Sequence, residues 1–305
     1  MRKRGLAEIF KLASANKEIL FIGSDLGEGT IDEYQSVLPK QYFMEGISEA
    51  NLIGMAAGLA MEGKQVFVNT IATFLTRRCF DQLAMDVCTS NLNVRLYANG
   101  GGVVYAPLGP THMAVDDISL MRSLPGMTII PPSDAEEMAR AIQASESHQG
   151  PIYFRLARGG ETVTSRKDLE FEIGKPILLK KPKEVLLLAN GTMVYRALEV
   201  SKILEAEGIG VGVLNVHTVK PFDKQHLIPY LSEVEAILSI EEHNIDGGLG
   251  SATAEIIAEY SGNRPRFKRL GFPNIYPDYY GQQDLIISKY GLNILSIAQE
   301  VRSLL

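Results

Sequence analysis

Short runs nearly continuous in Val, Ile and Leu alternate with segments of helical periodicity along the chain. The runs are Glu18–Gly23, Gln65–Asn69, Asn93–Ala98, Met127–Ile130, Ile152–Arg155, Glu184–Leu188, Gly210–Asn215 and Ala236–Ile240. Continuous rather than alternating hydrophobicity predicts strands buried on both faces, as in a parallel sheet covered by helices. Between them, Leu6, Ile9, Phe10 and Ala13 share one helical face, and Phe80, Leu83, Ala84 and Val87 share another. Pro131-Pro132 ends a strand, after which Ser133 is placed to cap a helix, with Glu136 completing a capping box. Asn293 is placed to cap a last helix carrying Ile294, Ile297, Ala298 and Val301. This order predicts an α/β fold of two open, mostly parallel α/β sandwich domains with right-handed crossovers. A polar, basic, weakly periodic stretch interrupts the pattern, so the expected division is 1–160, a linker 161–184, and 185–305.

Composition narrows the class. The 305 residues are 46% hydrophobic and 22% charged, which excludes a disordered chain. The net charge of −6 argues against a protein that coats nucleic acid, because phosphate binding draws on clustered Lys and Arg. No apolar run approaches the ~20 residues of a membrane helix. The start, MRKRGLAEIF, lacks the apolar core of a signal peptide. Two cysteines, Cys79 and Cys88, provide neither a disulfide framework nor a Cys-rich zinc site, and a reduced cytoplasmic setting is the simplest reading.

Several common catalytic signatures are missing, among them a Walker loop, HExxH and a nucleophile elbow. Gly247-Gly248-Leu249-Gly250 does not complete a dinucleotide fingerprint, and reads as a strand-to-helix turn able to offer amides to an anion. Glu49 opens a helix of small apolar residues that ends near Ala60. On composition alone, Glu49 is a carboxylate favouring the helix dipole. Phe74 lies at a Thr-rich turn leaving a strand, where its ring can face a ligand or the core. His112 follows a Gly-Pro turn beside a helix, poorly placed for core packing and well placed to titrate near neutral pH. The other four histidines have no such context.

Taken in order, these pieces resemble the transketolase family of thiamine-diphosphate enzymes. The residues carrying the resemblance are Gly46-Ile47-Ser48-Glu49, Ala56–Ala60, Thr73-Phe74, Phe80-Asp81-Gln82, Gly109-Pro110-Thr111-His112, Leu120–Pro125, Pro132-Ser133-Asp134 and Arg155–Gly159. Lys220-Pro221-Phe222-Asp223 and Glu241–Gly250 continue it, so it covers essentially the whole chain. It implies a pyrimidine-binding fold followed by a transketolase C-terminal-domain fold. In the family a glutamate, matched by Glu49, hydrogen-bonds the cofactor's aminopyrimidine. An aromatic residue, matched by Phe74, stacks on that ring. A histidine, matched by His112, faces the substrate and relays protons. Arg77 and Arg158 match cationic positions near an anionic substrate group.

The chain also departs from the family pattern. Leu108 stands where sugar-using relatives carry an Asp, and Gly100-Gly101-Gly102 stands where they carry a His or an Asp-Arg pair, so substrate preference is expected to differ. No Gly-Asp-Gly motif, which in the family holds the diphosphate through a divalent metal, occurs in the 305 residues. The resemblance therefore implies the C-terminal subunit of a split transketolase moving a two-carbon ketol unit from a ketose to an aldose. No metal ligand is expected on this chain. A partner N-terminal subunit would bring the diphosphate-binding domain and Mg2+ or Ca2+, in an α2β2 assembly around a homodimeric core. Three alternatives stand beside it: the beta subunit of a 2-oxo acid dehydrogenase, a deoxyxylulose-phosphate-synthase-like carboligase, and a non-catalytic homologue that binds a partner.

Overall fold

The computed structural model describes residues 1–24 and 32–305. In the first half β1 (Ile19–Gly23), β2 (Tyr42–Met44), β3 (Gln65–Ile71), β4 (Val94–Asn99), β5 (Thr128–Ile130) and β6 (Ile152–Leu156) form one sheet. Its order is β2-β1-β3-β4-β6-β5 and every neighbouring pair is parallel. In the second half β7 (Ile177–Lys180), β8 (Val185–Ala189), β9 (Val211–Asn215), β10 (Ala236–Asn244) and β11 (Arg266–Phe272) follow the order β11-β10-β8-β9-β7. Only β7 and β9 pair antiparallel. The chain thus forms two mostly parallel α/β sheets, as its hydrophobic runs predict.

All eight runs become strands, while β2, β7 and β11 are additions, and each of the three is a sheet edge. These three edges are half-buried and so lack the continuous apolar signature, whereas β5, the remaining edge, is buried throughout and keeps it. One of these additions, β7, falls inside the segment 161–184 expected to link the domains.

Adjacent residues point to opposite sheet faces. Ile22, Val68 and Leu96 pack under Leu52, Ile53, Leu83 and Ile118, while Phe21, Phe67 and Tyr97 pack under Ile9, Met138 and Ile142. Two local expectations need correction. The helix Ala135–Ser145 is capped by Asp134 rather than Ser133: the Asp134 carboxylate accepts from the amides of Glu136 and Glu137, and Glu137 reaches back to the Ser133 amide. The cap lies one residue later because the ionised Asp134 carboxylate, an acceptor-only group, takes two orphan amides at once. The stripe Phe80–Val87 does not lie on one α-helix. Phe74–Arg78 and Leu83–Cys88 wind as π-helix around a single α-helical turn at Phe80–Gln82, a distortion that recurs at functional sites. Asn293 caps the last helix as expected, accepting from Ser296.

The two halves interlock through residues 100–115. This loop leaves β4, and its Val103, Ala106, Met113 and Val115 are buried in the core of the second sheet with Leu187, Ala189 and Leu238.

Candidate active site

β1 continues to β2 on one side and β3 to β4 on the other, so the carboxyl ends of this pair are the topological switch point at which open α/β sheets bind ligands. The strand tips are pinned there by Ser24, whose hydroxyl donates to Thr70 Oγ1 at 2.7 Å. The helix Glu49–Met61 begins at the same edge after β2, and Phe74 follows β3. Glu49 is its helix's first residue yet is only 2% exposed. The carboxylate of Glu49 accepts a 2.6 Å hydrogen bond from Arg78 Nη1. The Arg78 guanidinium lies 4.4 Å from the centre of the half-buried Phe74 ring. On the other side, the His112 ring meets Phe74 edge-on at 5.1 Å. Glu49, Phe74 and His112, far apart in sequence, therefore converge, and Arg78 stands between the first two.

His112 ends a short 3-10 turn, Pro110–His112, and its Nδ1 lies 2.9 Å from Thr111 Oγ1. Glycines and buried charges hold this loop in place. Gly102 has φ +66°, and a Cβ there would lie 2.4 Å from Glu242 Oε1; a Cβ on Gly101 would lie 2.5 Å from Arg155 Cγ. The glycine run is thus required by close packing, whatever it does for substrate. Glu242 accepts from the Val103 amide, Thr192 Oγ1 and Gln283 Nε2. Arg155 Nε donates to buried Asp117, and its Nη2 donates to the carbonyls of Ala114 and Glu242. Burial alone would lower the Arg155 pKa, but Asp117 raises it, so this cation stays charged in the interior.

The two expected substrate arginines sit differently. Arg77 donates to Asp116 through Nε and Nη2, and Nη2 also reaches the Met113 carbonyl. Its Cζ lies 5.1 Å from the Tyr276 ring centre. Burial opposes its charge and Asp116 supports it, with the net pKa raised. Arg77 therefore borders His112 through the Met113–Asp116 segment, already holding a carboxylate. Arg158 is exposed and lines a different cleft of ≈ 540 Å³ with Ser133, Glu161, Thr192, Arg196 and Gln283. That cleft shares no lining residue with the Glu49–Phe74–His112 cluster. The turn at Gly247–Gly250 does offer amides to an anion, but that anion is internal: Leu249 and Gly250 donate to buried Glu241.

Sequence reasoning passed over Arg78, Asp116, Asp117 and Tyr276. A signal for Arg78 exists: Phe74 has arginines at i+3 and i+4, both of which reach its face of a helix. Asp117 and Tyr276 give no such signal, because they act across long sequence separations.

These residues fit an aminopyrimidine. A buried carboxylate able to accept an N–H lies beside an aromatic face, and a flat nitrogen-bearing cation already satisfies both. Among the described residues no group of three or more His, Cys, Asp or Glu is arranged to hold a metal ion.

Comparison with known proteins bears on the family and the fold. The family profile for the transketolase pyrimidine binding domain matches residues 5–160, and that for the transketolase C-terminal domain matches 174–297. The chain is 34% identical to the 6-deoxy-6-sulfo-D-fructose transketolase subunit SqwH of Clostridium sp. (strain MSTE9), covering 95% of this chain and 90% of that one. It is 36% identical to 1-deoxy-D-xylulose-5-phosphate synthase of Crocosphaera subtropica, over 96% of this chain but only 46% of that enzyme. Among solved structures, a split-gene transketolase described as an inactive β4 tetramer superposes with TM-score 0.90 at 32% identity, covering 99% of this chain and 97% of that one. Two domain profiles in tandem, a full-length split-subunit relative and a closely superposing fold together place the chain in the transketolase family.

Proposed function

We propose that this chain is the pyrimidine-binding and C-terminal-domain subunit of a split thiamine-diphosphate-dependent transketolase, transferring a two-carbon ketol unit from a ketose to an aldose. The observation that carries the reading is the convergence of buried Glu49, the Phe74 ring and His112 near the switch point between β1 and β3, Glu49 and Phe74 joined through Arg78. When bound, thiamine diphosphate supplies an electron sink for the carbanion that ketol transfer requires. Glu49 would share a proton with a pyrimidine ring nitrogen, as donor to the neutral ring or acceptor from the protonated one, and so set its protonation. Phe74 stacks on the ring, and His112 holds and returns the substrate's hydroxyl proton from the facing side. Arg77, which borders His112 through the Met113–Asp116 segment, is the candidate contact to an anionic substrate terminus, whereas Arg158 lines the separate cleft. The family motif for metal and diphosphate, absent from these 305 residues, is assigned to a second subunit, and the assembly to an α2β2 heterotetramer in the cytoplasm. Among the described residues no helix is long and apolar enough to cross a membrane.

A deoxyxylulose-type carboligation is the second reading, favoured by the 36% identity to a deoxyxylulose-phosphate synthase. Co-purification with the partner subunit and a screen of ketose donors (plain, phosphorylated and sulfonated) separates the two, since the synthase reaction starts from a 2-oxo acid and releases carbon dioxide. The first prediction concerns Glu49→Ala in that complex. It should abolish turnover with the melting temperature nearly unchanged, because Arg78 is half-exposed and can hydrate once its partner is gone. Full activity in this variant would refute the assignment.

A further inference from the structure

Arg78 belongs to no motif that assigns it a role, yet its guanidinium makes both contacts expected of the cofactor's pyrimidine. Nη1 donates to Glu49 Oε2 at 2.6 Å, and the planar cation lies 4.4 Å from the Phe74 ring centre. The Glu49 side chain is 3% exposed and that of Arg78 47%. A carboxylate buried this deeply is costly without a partner, and a guanidinium stacked on an aromatic face is favourable.

We propose that Arg78 is a latch: in the chain without cofactor it occupies the pyrimidine seat between Glu49 and Phe74, and a pyrimidine enters only by displacing it. The inference rests on the reading of Glu49 and Phe74 as that seat. The exchange is one for one. An incoming heterocycle takes over the hydrogen bond to Glu49 and the face of Phe74, so the carboxylate is never left bare. Arg78 loses both contacts but regains water, which its half-exposed position and long flexible side chain allow. Apparent affinity is then the intrinsic affinity multiplied by the fraction of time the seat is open. The latch keeps the seat formed and its buried acid neutralised while no cofactor is bound, and it penalises weak ring binders that cannot replace both contacts. His112, edge-on to Phe74, does not contact Glu49 in this arrangement and need not move.

The test is a ligand-observed NMR titration of the full 305-residue chain with 4-amino-5-hydroxymethyl-2-methylpyrimidine, the pyrimidine half of thiamine. This probe carries no diphosphate and so does not engage a partner's metal. Arg78→Ala should bind it about tenfold more tightly than the parent chain, since the competitor is gone. Parent-chain affinity should rise with added salt, which weakens the exposed side of the Arg78–Glu49 pair, while Arg78→Ala should be insensitive. If Arg78→Ala fails to fold, Arg78→Lys should show the same direction with a smaller gain, because lysine keeps the charge but lacks the planar stacking group. Equal, weaker or undetectable binding in a folded Arg78 variant overturns the latch. If Glu49→Gln abolishes binding in that same series, the pyrimidine seat survives. Unchanged binding in Glu49→Gln removes the seat itself, and the latch with it.

Discussion

At the scale of single residues, glycines mark where backbone and buried charge approach most closely. Gly102 combines φ +66° with Glu242 Oε1 only 2.4 Å from where a Cβ would stand. An added methyl must strain the backbone and displace an acceptor that holds the Val103 amide and Gln283. Gly102→Ala should therefore lower unfolding stability by about 2 kcal/mol or more in a denaturant titration. Reconstituted activity should fall as well, since the loop carries His112. The sequence suggested that Gly100–Gly102 replaces polar substrate contacts, and the packing reason became visible only when Arg155 and Glu242, far along the chain, were in place. Glu49, Phe74 and His112 could be picked out as candidates because each sits in a short motif. Which arginine meets Glu49 could not be, because Arg77 and Arg78 both lie on Phe74's side of the helix, and only the π-helical winding and the competing Asp116 assign them.

At the scale of elements, fully buried strands were readable, the edge strand β5 among them, and half-exposed edges were not, since burial on both faces writes a continuous apolar run while a strand such as RFKRLGF does not. The turn after β9 carries a titratable consequence. His217 is fully buried, stacks on Phe171 at 4.2 Å, and has its pKa pushed down to about 4 by burial. A depressed folded-state pKa means stability that is present above the unfolded value of about 6.5 and lost as pH falls through about 4. Glu137 runs the other way: burial raises it to about 7, so its contribution is present below about 4.5 and lost as pH rises through 7. The two oppose each other at mildly acid pH, so the raw melting curve hides both. Subtracting the melting temperatures of His217→Gln from those of the parent chain should isolate the histidine. The difference should shrink steadily from pH 6.5 to 4, and a flat difference would contradict neutral burial of His217.

At the scale of the whole molecule, the second sheet is part of the site's support rather than an appendage. Val103, Ala106, Met113 and Val115 lie in its core, and Arg155 bridges Asp117 to the Glu242 carbonyl across the two halves. The proposed pyrimidine seat at Glu49 and Phe74 lies on this chain, but the 305 residues lack the family's diphosphate motif. Calorimetry should accordingly find weak binding of thiamine diphosphate to this chain alone, and tight, metal-dependent binding once the partner subunit is added. Tight metal-dependent binding by the isolated chain would contradict the division of labour proposed here.

By itself the sequence determined the α/β class, eight of the eleven described strands, the family and the choice of Glu49, Phe74 and His112 as candidates, because each rests on local periodicity or a contiguous motif. Tertiary structure alone decided the three half-exposed edge strands, the glycine-lined fit of the His112 loop against Arg155 and Glu242, the separation of Arg158 from the cluster, and the placement of Arg78 between Glu49 and Phe74. Those features arise from contacts between residues distant in the chain. Their geometry depends on how strands and helices stack, which no local pattern encodes.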